Sequence, residues 1–104
     1  MAYSMEYKAL LHVKPDILSL NRPQDLWHNI LDGLTSKGYL GTNKSAEIGR
    51  NSNLPHAVFD FMVNLLKKKN CQDQQKIIKD FIKFLGKSGQ RIKKEMDSYI
   101  KGML

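Results

Sequence analysis

Apolar residues recur along this chain at spacings of three and four, which is the period of an amphipathic helix. No segment shows the alternation of apolar and polar residues that marks a pair of strands. Glycine, proline and asparagine separate one apolar group from the next. The pattern therefore predicts an all-α domain of five or six short helices, packed as a compact antiparallel bundle.

The first helical segment is predicted to run from about Tyr3 to Leu20. Pro15 lies inside it, and proline removes a backbone donor and disfavours helical geometry at the preceding residue, Lys14. We therefore expect a kink or a break near Lys14. The apolar residues expected to share one side of this segment are Tyr3, Tyr7, Leu10, Leu11, Ile17 and Leu18.

Capping residues predict the limits of the next three helices. Pro23 suits the first turn of a second helix, which Gly38 ends in the left-handed conformation. Thr42 is a candidate N-cap for a short third helix, and Asn53 or Ser52 for the fourth. The expected apolar stripes are Leu26, Trp27, Ile30, Leu31 and Leu34 in the second helix, and Leu54, Val58, Phe61, Met62, Leu65 and Leu66 in the fourth.

Two further helices are predicted in the C-terminal part of the chain. Asp73 is a candidate N-cap for the fifth helix, and the segment Gly86 to Gly89 separates it from the sixth. Their apolar faces comprise Ile77, Ile78, Phe81, Ile82 and Leu85, and then Ile92, Met96, Tyr99 and Ile100. Because 104 residues are enough for one core, residues 1–104 are expected to form a single domain.

The charge of the chain is positive and unevenly distributed. Residues 1–52 carry a net charge of +1, and residues 53–104 carry +6 of the total of +7. A basic half favours an acidic partner, which is nucleic acid, an anionic membrane surface or an acidic protein face. No apolar run approaches the ~20 residues of a membrane span, so no membrane insertion is expected. The lone cysteine, Cys71, favours a reduced, cytoplasmic setting.

The search for catalytic or ligand-binding motifs yields little. Gly86-Lys87-Ser88 matches the tail of a phosphate-binding loop, but Phe81 stands where that motif needs a glycine. The histidines His12, His28 and His56 lie in three different predicted helices and lack the spacing of metal ligands. We therefore expect neither a metal nor a cofactor.

Acidic pairs and the cysteine do not suggest catalysis either. Asp25 and Asp32 lie seven residues apart, so two helical turns place them on one side of the second helix. That side is the polar one, which favours a solvated surface over a pair of acid–base groups. Cys71 has only lysines nearby to activate a thiol. The chain is accordingly expected not to be an enzyme.

Lysines form two groups in the basic half. Lys67-Lys68-Lys69 is a dense cluster. A stripe follows, in which lysines share a helical face at spacings of 3, 4 and 4, with Lys94 as a candidate extension: Lys76, Lys79, Lys83 and Lys87. The stripe is either a solvated face or an electrostatic docking surface. In the second case an alternative function is a small basic helical nucleic-acid-binding domain, with weak, salt-sensitive and sequence-blind binding.

Several stretches together resemble the caspase-recruitment domain (CARD) of the death-fold superfamily. Ile30 to Leu40 is similar to that family's second helix and following turn, and Thr42 to Ile48 to its short third helix. Ala57 to Lys69 resembles the fourth helix, and Asp80 to Leu85 the fifth. The resemblance covers about residues 4–101.

This resemblance implies a six-helix antiparallel bundle of the Greek-key, death-fold type with a kinked or broken first helix. It also implies a protein–protein interaction module that takes part in homotypic CARD–CARD assembly in apoptotic or inflammatory and innate immune signalling. The partner would be another death-fold domain or a second copy of the chain, in a homo-oligomer or filament, and nucleic acid is the less favoured partner.

In such assemblies a face on the first and fourth helices meets the second and third helices of a neighbour, with complementary charges across the contact. The corresponding basic face in this sequence comprises Lys8, Lys14, Lys67, Lys68 and Lys69, and the acidic face comprises Asp25, Asp32 and Glu47.

Overall fold

Seven α-helices account for most of the residues that the computed structural model describes, which are 3–20 and 24–104. These described residues contain no strand, which confirms the all-α prediction. Pro23, which is predicted to lie in the first turn of the second helix, is outside the described residues. The helices are α1 (Met5–His12), α2 (Lys14–Leu18), α3 (Gln24–Ser36), α4 (Thr42–Gly49), α5 (Leu54–Lys67), α6 (Cys71–Phe84) and α7 (Lys87–Met103).

The predicted break in the first helical segment is confirmed. It falls at Val13, one residue before Lys14, and separates α1 from α2. Pro15 lies in the first turn of α2, where a residue without an N–H group loses no helical hydrogen bond. The apolar side predicted for this segment is wrong at Tyr3 and Leu11, which are 41% and 40% exposed, whereas Ala9 and Val13 are fully buried.

Local chemistry ends α3 as expected. Gly38 has a φ of 80°, a conformation that glycine adopts without a steric penalty. The N–H groups of Gly38 and Tyr39 donate to the carbonyls of Thr35 and Leu34 at 3.0 Å each. This is the Schellman arrangement, and it turns the chain towards α4.

Two predicted N-caps are wrong. Gly41, not Thr42, is the N-cap of α4, and Thr42 is the first helical residue. In α6 the cap is Asn70, whose Oδ1 accepts a hydrogen bond from the N–H of Asp73 at 2.8 Å. Asp73 instead lies in the first turn, where its negative charge interacts favourably with the positive end of the helix dipole.

One core joins the helices. α1 packs against α6 and α7, α2 packs against α5, and α3 contacts α4, α5 and α6. Phe59 is fully buried although it lies outside the predicted stripe, because α5 is covered on more than one side. Phe61 and Leu65 are only half-buried. The largest side chains in the core are Trp27, Phe59 and Phe81.

The turn between α6 and α7 depends on two glycines. Gly86 has a φ of 65°. Gly89 lies so close to the backbone carbonyl of Ile82 that a Cβ atom there would overlap it. These two residues let α7 fold back tightly on α6, which sets the orientation of the lysines on both helices.

Candidate functional site

The five lysines of the basic face lie on α1, α2 and the C-terminal end of α5. Lys8, Lys67 and Lys68 are exposed, whereas Lys14 and Lys69 are half-buried. Within the described part of the chain, none of the five forms an ion pair. Their positive charges are therefore not neutralised by a neighbouring acid.

Lys14 connects the first helical segment to α5. Its Nζ atom lies 5.5 Å from the centroid of the Phe59 ring, within the range of a cation–π interaction. Phe59 is fully buried, so the methylene stem of Lys14 covers the edge of the core while its charge stays near the surface. The contact holds α2 against the middle of α5.

A buried glutamine fixes the other end of this surface. Gln74 is completely buried, and its Oε1 accepts a hydrogen bond from the backbone N–H of Ser4 at 2.8 Å. Its Nε2 donates to the carbonyls of Leu66 at 3.0 Å and Lys69 at 3.1 Å. One side chain thus joins the start of α1 to the end of α5, and we call it the Gln74 clamp.

The clamp positions basic residues from distant parts of the sequence. Ser4 is the N-cap of α1, and its Oγ accepts from the N–H of Tyr7 at 3.0 Å, so the start of this helix is well defined. Lys8 lies one turn further along α1. The carbonyls that accept from Gln74 belong to Leu66 and Lys69, so Lys67 and Lys68 lie between the two bonded residues at the end of α5. The Gln74 clamp therefore holds the segments that carry four of the five lysines.

Sequence reasoning missed Gln74, although a signal for it existed. The residue continues the apolar face of α6, because it precedes Ile77 and Ile78 by three and four positions. A polar side chain in such a position is buried, and burial requires hydrogen-bond partners. Those partners are backbone groups, which leave no trace in the sequence.

The acidic face lies on α3 and α4, which pack against each other. Asp25 and Asp32 are exposed and form no ion pair within the described residues. Glu47 on α4 is also exposed, but its Oε1 lies 3.5 Å from the Nζ of Lys44. Such an exposed pair contributes little to stability, so the carboxylate stays available to a partner.

The two charged faces meet between α4 and α5. Glu47 and Lys68 both line a hollow of about 490 Å³ there, together with Lys44 and Asp60. Lys68 thus belongs to the margin of the basic face. Lys67 does not line this hollow, so a substitution there changes the basic face without changing the hollow that Glu47 and Asp60 also line.

A hydrogen bond between Tyr39 and Asp80 fixes the connection between α3 and α4. The Tyr39 hydroxyl donates to Asp80 Oδ2 at 2.7 Å, and Asp80 is only 8% exposed. Burial, followed by the hydrogen bond and the negative charge of Asp80, raises the pKa of Tyr39 to about 12. The bond anchors the turn that sets α4, and with it Glu47, relative to α3.

Titratable groups also meet where α1 and α2 contact α7. The His12 ring stacks on Tyr99 with the ring centroids 4.2 Å apart. A hydrogen bond with the Asp16 carboxyl, then burial, raises the pKa of Glu95. Arg91, at 3.7 Å, opposes this shift. The cluster is a structural contact between the two ends of the chain.

The lysine stripe is divided by the fold. Lys76, Lys79, Lys83 and Lys87 are all exposed, but only Lys79 and Lys83 line the groove between α6 and α7. Lys94, the candidate extension of the stripe, does not line this groove. Lys94 lines a separate hollow beside His12 and Tyr99, whereas the groove is joined by Lys93.

Comparisons with protein-family models, curated proteins and solved structures found no match to this chain. In the part of the chain that the structure describes, no helix has both the length and the apolar character needed to cross a bilayer. Over residues 3–20 and 24–104, no group of three or more His, Cys, Asp or Glu side chains is arranged to hold a metal ion. The described residues form an all-helical domain in which Lys8, Lys67 and Lys68 are exposed on α1 and at the end of α5, and Asp25, Asp32 and Glu47 are exposed on α3 and α4.

Proposed function

We propose that this chain is a protein–protein interaction module that assembles with domains of its own kind. The observation that carries the proposal is the division of uncompensated surface charge. Lysines lie on α1, α2 and the end of α5, and aspartates lie on α3. The basic face of one copy would bind the acidic face of the next.

The arrangement of the helices supports membership of the death fold. α1 and α2 are interpreted as one broken first helix, so that the seven segments form a six-helix bundle. In this bundle the first helix packs against the last, and α3 packs against α6. Together with the resemblance of four sequence stretches, this supports a CARD that acts in apoptotic or inflammatory and innate immune signalling in the cytoplasm.

The proposed contact is heterologous, because different surfaces of the two copies meet. Each bound pair therefore leaves one basic and one acidic face unoccupied, and further copies can add without closing a ring. Complementary charge speeds the encounter and selects the partner. No ion pair within the described residues has to break before the proposed contact forms, because Asp25, Asp32 and Lys67 take part in none.

Sedimentation velocity over a concentration series tests this proposal. The parent chain should form larger species as its concentration rises, and Asp32→Lys or Lys67→Glu should each abolish them. Controls with the same charge change are Asp97→Lys and Lys101→Glu, both exposed on α7 outside the two faces. Far-UV circular dichroism should show an intact fold in all four variants. Assembly that persists in either face variant would contradict the proposed contact.

A second candidate function is weak nucleic-acid binding through the lysine stripe. Its four lysines are exposed and have no acidic partner among the described residues. A duplex DNA probe should then bind in a strongly salt-dependent way. Replacing Lys76, Lys79 and Lys83 with glutamate should remove this binding, and unchanged affinity would rule out the stripe as its site.

A further inference from the structure

A groove with a volume of about 620 Å³ lies between α6 and α7. Its apolar lining comes from both helices, and Ile82 and Ile100 are only half-buried there, next to the buried Ile78 and Met96. The protein therefore leaves aliphatic surface exposed along this groove. Clefts of this size that combine an apolar lining with a few charged groups are typical binding sites.

The length of the groove suits a short helix. Along α7 it extends from Gly89 to Ile100, and along α6 from Gln75 to the turn at Gly86. At 1.5 Å per residue, eleven residues span about 16 Å, or three turns of helix. An amphipathic helix that presents apolar residues at spacings of three and four could place them against Ile82 and Met96.

Charge is distributed unevenly along the groove. Lys83 lies nearest the glycine turn, and Lys79 and Lys93, each seven residues from Gly86, lie towards the middle. Glu6 and Asp97 lie at the opposite end. None of these five side chains forms an ion pair within the described residues. The groove therefore has a basic end and an acidic end.

Glu6 contributes to the acidic end from α1. Its side chain is only half-buried and lines the groove, so its negative charge acts on whatever lies there. The first turn of a helix suits such a position, because its N–H groups have no partner within the helix and carry the positive end of the helix dipole.

We propose that this groove binds an amphipathic helical segment of a partner protein, about three turns long, with its basic N-terminal end at Glu6 and Asp97. Its acidic C-terminal half extends from Lys93 towards Lys83. This direction also places the positive end of the helix dipole at the acidic end of the groove. The proposal does not depend on the homotypic assembly described above, which uses other side chains.

Other occupants fit the groove less well. The phosphates of a nucleic acid would meet Glu6 and Asp97 and would leave the apolar lining uncovered. A fatty-acid anion could pair its carboxylate with Lys83 or Lys93, but it would bring only hydrocarbon to the two acidic side chains. A helix with opposite charges at its two ends complements both ends of the groove.

Two stapled synthetic helices of twelve residues test the proposal against the full chain. Both carry the same leucines, but one has lysines in its first turn and glutamates in its last, and the other has these charges exchanged. In ¹⁵N NMR titrations the first peptide should shift the amide signals of Gly86, Gly89 and Lys93. The exchanged peptide should bind at least about 10-fold more weakly.

A matched pair of variants locates the contact. Lys93→Glu should weaken binding of the first peptide by about 5- to 10-fold, whereas the control Lys94→Glu should change it by less than about 2-fold. Both lysines are exposed on α7, so both variants should keep the fold. Equal effects of the two variants, equal affinity for the two peptides or the absence of saturable shifts would each overturn the proposal. Stronger binding of palmitate or of duplex DNA at the same signals would also overturn it.

Discussion

Replacing Gln74 with alanine is expected to lower the free energy of unfolding by about 3 kcal/mol. The change removes the hydrogen bonds to Ser4, Leu66 and Lys69, whose lengths are 2.8, 3.0 and 3.1 Å. Each contributes about 1 kcal/mol net, and a backbone group left buried without a partner costs about 1–3 kcal/mol. Because part of this site is near the surface, water can compensate some of the loss, which keeps the expected range at about 2–4 kcal/mol.

The assay is urea unfolding followed by the fluorescence of Trp27, the single tryptophan, which is buried in the core. At about 4–8 °C per kcal/mol, a loss of about 3 kcal/mol should lower Tm by roughly 12–24 °C. Gln75→Ala is the matched control, because Gln75 is exposed and should change stability by no more than about 0.5 kcal/mol.

Two further variants separate hydrogen bonding from packing. Gln74→Leu keeps most of the side-chain volume but makes no hydrogen bond, so it should lose nearly as much stability as the alanine variant. Gln74→Glu can accept from Ser4, but at neutral pH it cannot donate to the carbonyls of Leu66 and Lys69. If Gln74→Ala proved no more destabilising than Gln75→Ala, the reasoning about the Gln74 clamp would be refuted.

Three further predictions concern other contacts in the fold. Because the folded-state pKa of Glu95 is raised above its ordinary value of 4.5, its contribution to stability is present at low pH and lost as pH rises through the raised pKa. Glu95→Gln should remove this loss in urea melts at a series of pH values, and an unchanged pH profile would contradict the contact with Asp16. Burial and Asp80 raise the pKa of Tyr39 from 10.0 to about 12. The contribution of Tyr39 to the free energy of unfolding should therefore decline as the pH rises from 10.0 to about 12. Tyr39→Phe should flatten that decline in alkaline melts and cost about 1 kcal/mol at neutral pH, and an identical alkaline profile would argue against the bond. Gly89→Ala should lower stability by about 1–3 kcal/mol in thermal melts, because its methyl group would overlap the backbone of α6, and a parent-like Tm would show that the helices can separate.

Features determined by neighbouring residues were predictable from the sequence. The end of α3 follows from the conformation of Gly38, and the break between α1 and α2 follows from Pro15. The N-caps of α4 and α6 were harder to predict, because several residues that can cap a helix lie close together in both segments. Gly41 rather than Thr42 precedes α4, and in α6 the earlier residue, Asn70, takes the role.

Features determined by distant contacts were not predictable in the same way. Ser4 and Gln74 are separated by 70 positions, and the pairing depends on backbone groups. Lys94 follows Lys87 by seven residues, but neither lysine lines the groove, because the turn at Gly86 changes the phase between α6 and α7. As a result Lys93, one position earlier, lines the groove. Periodicity can therefore predict each helical face but not how two faces align across a turn.

The most direct test of the central claim is to mix two face variants that are each unable to assemble alone. Asp32→Lys retains the basic face, and Lys67→Glu retains the acidic face, so an equimolar mixture restores one intact contact. Sedimentation velocity should show monomers for each variant and a 1:1 heterodimer for the mixture. Two unassociated monomers in the mixture, or parent-like assembly of either variant alone, would contradict a contact between the basic and acidic faces.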